Sequence, residues 1–290
     1  MTEKRDRRKL ELGAFAVVMV AIIAVFVVIA TSGGGGGQTK TARLPWPAPA
    51  LNHPETIQLT SANAGTLRLD PNRDYKLVLP TTGPLQAPNG LRIYGGHNVV
   101  IVGGTINIPN RTGAGELQDQ TGTIHLEGVR FTGTQLMEGL DLQEPNATVE
   151  LENIFFDTVH GTYTTNHADL IQSWAGPKRL LIDGLYGTTQ YQGFFLLPNQ
   201  HYSGPAPQLF DIRNVYIDDQ GGAYALWLQT SPKVPLHVSN VNVTPNAART
   251  WRGWWLWPKP FNGDTTWSQV KAASAAPAAV TKQVSAAGLG

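Results

Sequence analysis

The decapeptide TVELENIFFD, Thr148–Asp157, decides the fold, because five other stretches of the chain share its pattern. They are VVIVGGTINI from Val99, TIHLEGVRFT from Thr123, RLLIDGLYGT from Arg179, LFDIRNVYID from Leu209 and PLHVSNVNVT from Pro235. In each copy the second and fourth positions are apolar: Val100/Val102, Ile124/Leu126, Val149/Leu151, Leu180/Ile182, Phe210/Ile212 and Leu236/Val238. The sixth is Gly or Asn: Gly104, Gly128, Asn153, Gly184, Asn214 and Asn240. Those two residue types tolerate positive φ, as a tight corner between strands requires. Apolar residues resume at the seventh position, as at Val129, Ile154, Leu185, Val215 and Val241.

Alternating strands repeating every ~20–30 residues around a fixed Gly/Asn corner predict a β-solenoid. The class is all-β, and the pattern resembles the right-handed parallel β-helix of the pectate-lyase-like superfamily over residues 56–262, about seven coils. The frame and helical segments of a leucine-rich-repeat horseshoe are missing, and an immunoglobulin-like sandwich would not keep Gly or Asn at one corner. A further strand per coil falls in MEGLDLQEPN (from Met137), NHADLIQSWAGP (Asn166), YQGFFLLPNQ (Tyr191), AYALWLQTSP (Ala223) and RGWWLWPKP (Arg252).

The 290-residue chain has 22 Lys+Arg against 21 Asp+Glu and no cysteine. Near-neutral charge gives no footprint for nucleic acid, and the absence of cysteine excludes disulfides and thiolate metal sites. Residues 1–11 carry Lys4, Arg5, Arg7, Arg8 and Lys9, and the uncharged run 12–31 follows. That run is long enough to cross ~30 Å of hydrocarbon as a helix, and the basic flank keeps its own side cytoplasmic. The expectation is a single-pass type II protein held in the lipid bilayer, its C-terminal domain extracytoplasmic. The alternative is secretion after cleavage near Ser32. Residues 32–55 read as a Gly/Pro linker and residues 263–290 as an Ala-rich tail.

Stacked coils turn equivalent positions into surface rows ~4.8 Å apart. Position five reads Gly103, Glu127, Glu152, Asp183, Arg213, Ser239. Three neighbouring acids require compensation by a cation such as Ca2+, by Arg213, or by a retained proton; a solvated acidic face is the plainer reading. Position eight reads Ile106, Arg130, Phe155, Tyr186, Tyr216, Asn242. Its aromatics either bind sugar rings or stack on one another to stabilise the sheet. The tryptophans of WRGWWLWP, Trp251–Pro258, cap the last coil or bind glycan.

The polar residues that could carry chemistry are Asp141 in EGLDLQ and His167 and Asp169 in NHADLIQ. At strand spacing His167 and Asp169 share a face, where a carboxylate would orient the imidazole for general-base work. Gln143, Gln172, Trp174, Tyr191 and Gln192 would supply hydrogen bonds and stacking to a polysaccharide or cell-envelope glycan. The competing reading has Asp169 satisfying turn amides. Superfamily enzymes show WxDH and RxPxxR in pectate lyases, and NTD, GHG and RIK in polygalacturonases. Asn166-His167-Ala168-Asp169 is not NTD, and His160-Gly161 lacks the leading glycine. No catalytic residue transfers from these families. Two functions stand: a polysaccharide lyase, glycoside hydrolase or epimerase using Asp169, His167 and Asp141, or a glycan-binding or structural scaffold without chemistry.

Overall fold

The computed structural model describes residues 46–111, 114–228, 234–244, 246, 255–259 and 265–275. The expected transmembrane run 12–31 lies outside them, as do most of the linker, residues 276–290 of the tail, and Trp251 and Trp254. Among the described residues no helix is long and apolar enough to cross a membrane.

The described chain is a parallel β-solenoid of about seven turns, consistent with the right-handed parallel β-helix. One sheet is built from β1 (Glu55–Gln58), β3 (Tyr75–Val78), β6 (Val99–Asn107), β8 (Thr123–Thr132), β10 (Thr148–Val159), β12 (Arg179–Thr189), β14 (Leu209–Asp219), β16 (Leu236–Thr244) and β18 (Val270–Ala272), with β4 (Leu85–Gln86) beside β6. The other contains β2 (Thr66–Leu69), β5 (Leu91–Gly95), β7 (Gly115–Gln118), β9 (Leu140–Gln143), β11 (Asp169–Ala175), β13 (Gln192–Leu196), β15 (Leu226–Leu228) and β17 (Leu256–Trp257). The first sheet therefore runs on to Val270–Ala272, past residue 262 and into the segment read as a tail. There Trp267 is fully buried.

Each decapeptide forms one long strand, bent at its sixth position from the second copy onward, and those five corner residues have positive φ, from 48° at Asn240 to 84° at Gly184. The asparagines also chain together. Asn240 Nδ2 donates to Asn214 Oδ1 at 2.7 Å, and Asn214 Nδ2 donates to Asp183 Oδ1 at 2.7 Å. Asn214→Val would strain a β-branched residue at φ 49° and break both bonds. We expect a loss of about 1–3 kcal/mol, read as a lower urea midpoint at an unchanged m-value; an unchanged midpoint would show that the corner tolerates any residue.

Positions two and four point inward from the second copy onward. The first copy is displaced by one residue: Val99 pairs with Ile124 and Ile101 with Leu126. The residues expected inside, Val100 and Val102, therefore alternate outward, and Val102 is 45% exposed. The reason is that Gly103 and Gly104 both have positive φ, at 70° and 101°, so either could be taken for the corner. In consequence the position-five row begins at Val102 rather than Gly103, and the position-eight row at Thr105 rather than Ile106.

The acidic position-five row is resolved by covering chain, hydrogen bonds and a retained proton. Glu152 is 1% exposed and accepts the Trp46 amide at 3.0 Å. Burial pushes its carboxyl up to about 8, against the pull of that amide and of His125. Asp183 accepts from Asn214, while Arg213 pairs with Asp211 and lies over the Trp46 ring at 5.0 Å. Burial would lower the His125 imidazole, but contacts with Glu127 at 3.5 Å and Glu150 at 2.9 Å raise it to about 9.

Candidate functional site

The outer face of the second sheet gathers the polar and aromatic residues. Its inward anchors are stacked apolar pairs such as Leu140/Leu142 and Phe194/Leu196. The residue between each pair points out, so one row crosses the sheet at one residue per strand. It runs from Thr66 on β2 through Arg92 on β5 to Glu116 on β7 and Asp141 on β9. Gln172 on β11 follows, and Phe195, Trp227 and Trp257 complete the row on β13, β15 and β17. A second row holds Tyr94, Gln118 and Gln143.

This register relocates several expected neighbours. Asp141 lies beside Gln172, while Gln143 pairs with Ala175 across a register shift that bulges the strand at Trp174. Asp169 pairs with Gln192, which is 2% exposed. The following residues, Leu170 and Ile171, both enter the core, so the simple alternation that put His167 and Asp169 on one face breaks at this strand's start.

Asp169 is 1% exposed and neither carboxyl oxygen has a hydrogen-bond partner. His167 is exposed. Its Nε2 sits 3.2 Å from the Tyr163 carbonyl oxygen, and its ring lies 5.5 Å from Tyr163 and 5.1 Å from Tyr191. A carbonyl only accepts, so Nε2 carries the hydrogen. The ring is thus oriented by the 163 carbonyl and two tyrosines, without a hydrogen bond to Asp169. Asp169 does not cap turn amides either.

Asp169 belongs instead to a carboxyl cluster with Asp141, Glu138 and Glu116. Burial holds the Asp169 carboxyl well above the ordinary range, reinforced by the charge of Glu138. Asp141 is raised well above its usual value by burial, then by the charge of Glu138, a hydrogen bond with it, and the charges of Asp169 and Glu116. Glu138 is raised by burial, with the Asp141 contact pulling the other way. A hydrogen bond between two carboxyls requires a proton on one of them, so this pair titrates as a unit. Glu116 is held differently: it accepts the Tyr94 hydroxyl at 2.6 Å and the Arg92 Nε–H at 2.8 Å. The cluster therefore contains proton-holding carboxyls one strand away from a carboxylate fixed by a cation and a phenol.

Two aromatic rows differ in what they expose. At position eight, Phe155 stacks on Tyr186 at 4.6 Å and 12°, and Tyr186 on Tyr216 at 4.8 Å and 10°. Face-to-face rings turn only their edges outward, so this row stabilises the sheet. On the second sheet, Phe195 meets Trp227 at 79° and Tyr224 meets Trp227 at 73°, while Phe195, Trp227 and Trp257 each stay partly exposed. Trp174 lies edge-on to His201, 5.3 Å away.

A groove of about 430 Å³ lies elsewhere, on the first sheet, between Arg130, Asp157, His160 and Tyr186. Its charges are matched internally, Arg130 donating to Asp157 at 2.8 Å, and it lacks the proton-holding carboxyls of the second sheet. Among the described residues no three His, Asp or Glu side chains are arranged to hold a metal ion. Glu127, Glu152 and Asp183, the row for which Ca2+ is one of the compensations named above, have separate partners.

Glu116, Glu138, Phe195 and Trp227 were not singled out from the sequence, although the leucines and phenylalanine flanking Phe195 and Trp227 could have aligned those two, and Trp257 entered only as one of the WRGWWLWP tryptophans. The described chain is a parallel β-solenoid with an acidic and aromatic row on one face. Comparisons with protein-family models, curated proteins and solved structures give no match.

Proposed function

We propose that the outer face of the second sheet binds a polysaccharide lying along the solenoid axis and acts on it by acid–base chemistry. The observation that carries this reading is the continuity of the carboxyl cluster with the Phe195, Trp227, Trp257 row. Coils ~4.8 Å apart offer about one sugar unit per strand. A linear glycan anchored on the aromatic strands is thereby carried across Gln172 onto Asp141 and Glu116.

Asp141 acts as the general acid, because burial and the neighbouring carboxyls raise its pKa and so favour the proton-holding form. Glu116 is the charged partner that stabilises the developing positive charge or activates water. Asp169 lies beneath the face and does not touch substrate; it supports the cluster's affinity for protons. His167, Tyr163 and Tyr191 form the wall beside it. The reaction this set fits is hydrolysis of a glycosidic bond. Binding without chemistry is favoured by one observation, the near-complete burial of Asp169 and Asp141. The purified full-length protein, tested on polysaccharides for new reducing ends and for unsaturated products, separates hydrolase, lyase and pure binder.

The localisation rests on the basic flank and the apolar run 12–31. Protease added to intact cells is expected to remove the domain; protection would place the domain inside the cell.

A further inference from the structure

We infer that the glycan taken by this face is uncharged, and that its main binding subsites lie on one side of the carboxyl cluster, over the C-terminal coils. The inference rests on the reading of the second sheet as a glycan-binding face. Four carboxyl groups line or underlie the face: Glu116, Glu138, Asp141 and Asp169. Among the described residues, the two arginines along these rows are already engaged. Arg92 is bound to Glu116 at 2.8 Å, and Arg68 lies 4.9 Å over the Tyr94 ring.

A polyuronate or sulfated chain carries an anion on many of its sugar units. Laid along this row, it would set those anions against the carboxyl cluster, where both described arginines already have partners. Like charges in a poorly hydrated site oppose binding. The retained protons reduce this repulsion only while they are held, so a polyanion would also drive the carboxyls further toward their neutral forms and deprive the site of ionised partners. Among the described residues no three acidic or imidazole side chains are arranged around a metal ion that could bridge anion to carboxylate.

The groups that remain suit hydroxyls and apolar sugar faces. The side-chain amides of Gln118, Gln143 and Gln172 both donate and accept, as hydroxyl pairs require. Phe195, Trp227 and Trp257 supply apolar surface on three successive strands, with rings inclined rather than stacked on one another. These strands lie on the C-terminal side of Asp141, whereas its N-terminal side offers the Arg92–Glu116 pair and Tyr94. Binding strength is therefore asymmetric about the cluster.

The test compares hexasaccharides of β-linked glucose, xylose and mannose with hexagalacturonate, titrated into the full-length protein in detergent and read by tryptophan fluorescence and calorimetry. At least one uncharged hexamer is expected to bind at least tenfold more tightly than hexagalacturonate. Trp227→Ala is expected to weaken that binding about tenfold or more, and Trp227→Phe, which keeps an aromatic ring in place, to weaken it less. The midpoint of thermal unfolding of each variant establishes that it is folded. Hexagalacturonate binding as tightly as the best uncharged hexamer, with the same sensitivity at Trp227, would overturn the inference and leave the glycan-binding face standing. Failure of every hexamer to bind in a Trp227-dependent way would remove the glycan reading itself.

Discussion

Replacement of Asp141 by Asn is expected to lower turnover by two to four orders of magnitude while leaving glycan affinity within a few-fold of the wild type. Asn keeps the shape and most of the hydrogen-bonding capacity of the carboxyl but cannot deliver a proton, and general acid catalysis contributes about 10²–10⁴ in rate. The pH profile carries the more specific signature. The Asp141 pKa is raised by burial and by the neighbouring charges of Glu138, Asp169 and Glu116, so wild-type activity persists above the ordinary carboxyl range and is lost as rising pH removes the proton. In the variant that alkaline limb disappears from whatever activity remains. Equal loss of affinity and turnover would make Asp141 a binding residue, and unchanged turnover would move the acid elsewhere in the cluster.

The second large effect concerns stability and has the opposite sign. Asp169→Asn is expected to stabilise the domain at neutral pH, by a margin that grows as pH rises above the ordinary carboxyl range. Both oxygens of Asp169 are buried without partners, so the folded state holds the proton while the unfolded chain releases it above its ordinary value of about 3.9. Between that value and the raised folded one, each pH unit costs the wild type about 1.4 kcal/mol. The stability held by this proton is complete in acid and falls as pH rises. Asparagine does not titrate, so the two proteins should converge near pH 4 and diverge toward pH 7. Urea unfolding at pH 4, 5.5 and 7 measures the divergence. Parallel curves would mean that the Asp169 carboxyl is solvated or paired.

The first sheet was legible because its constraint is a backbone one. Positive φ restricts a corner to Gly or Asn, and once Gly128, Asn153, Gly184, Asn214 and Asn240 are aligned, alternation fixes which residues face inward. The misplacement at VVIVGGTINI has the same origin: two adjacent glycines give two candidate corners, and only pairing with β8 selects Gly103. The second sheet has short strands and no such corner. The shared aspartates of EGLDLQ and HADLIQ invite an alignment of Asp141 with Asp169, whereas the apolar anchors Leu140 and Ile171 are the true equivalents. That alignment yields the outward row directly. Glu138 lies in a connection ahead of β9 and meets Asp141 only through the folded geometry, and the burial of Asp169 arises from packing that spacing alone does not reveal.

The pairing of each coil only with the coils before and after it governs how such a chain can change over generations. Duplicating or losing one whole turn alters the length of the outward row by one residue and leaves every other contact as it was. A one-residue insertion within a strand does the reverse, sending its core side chains to solvent. Lineages descended from this architecture are therefore expected to vary in whole turns, lengthening or shortening the aromatic run as a unit while the acidic strands are inherited intact.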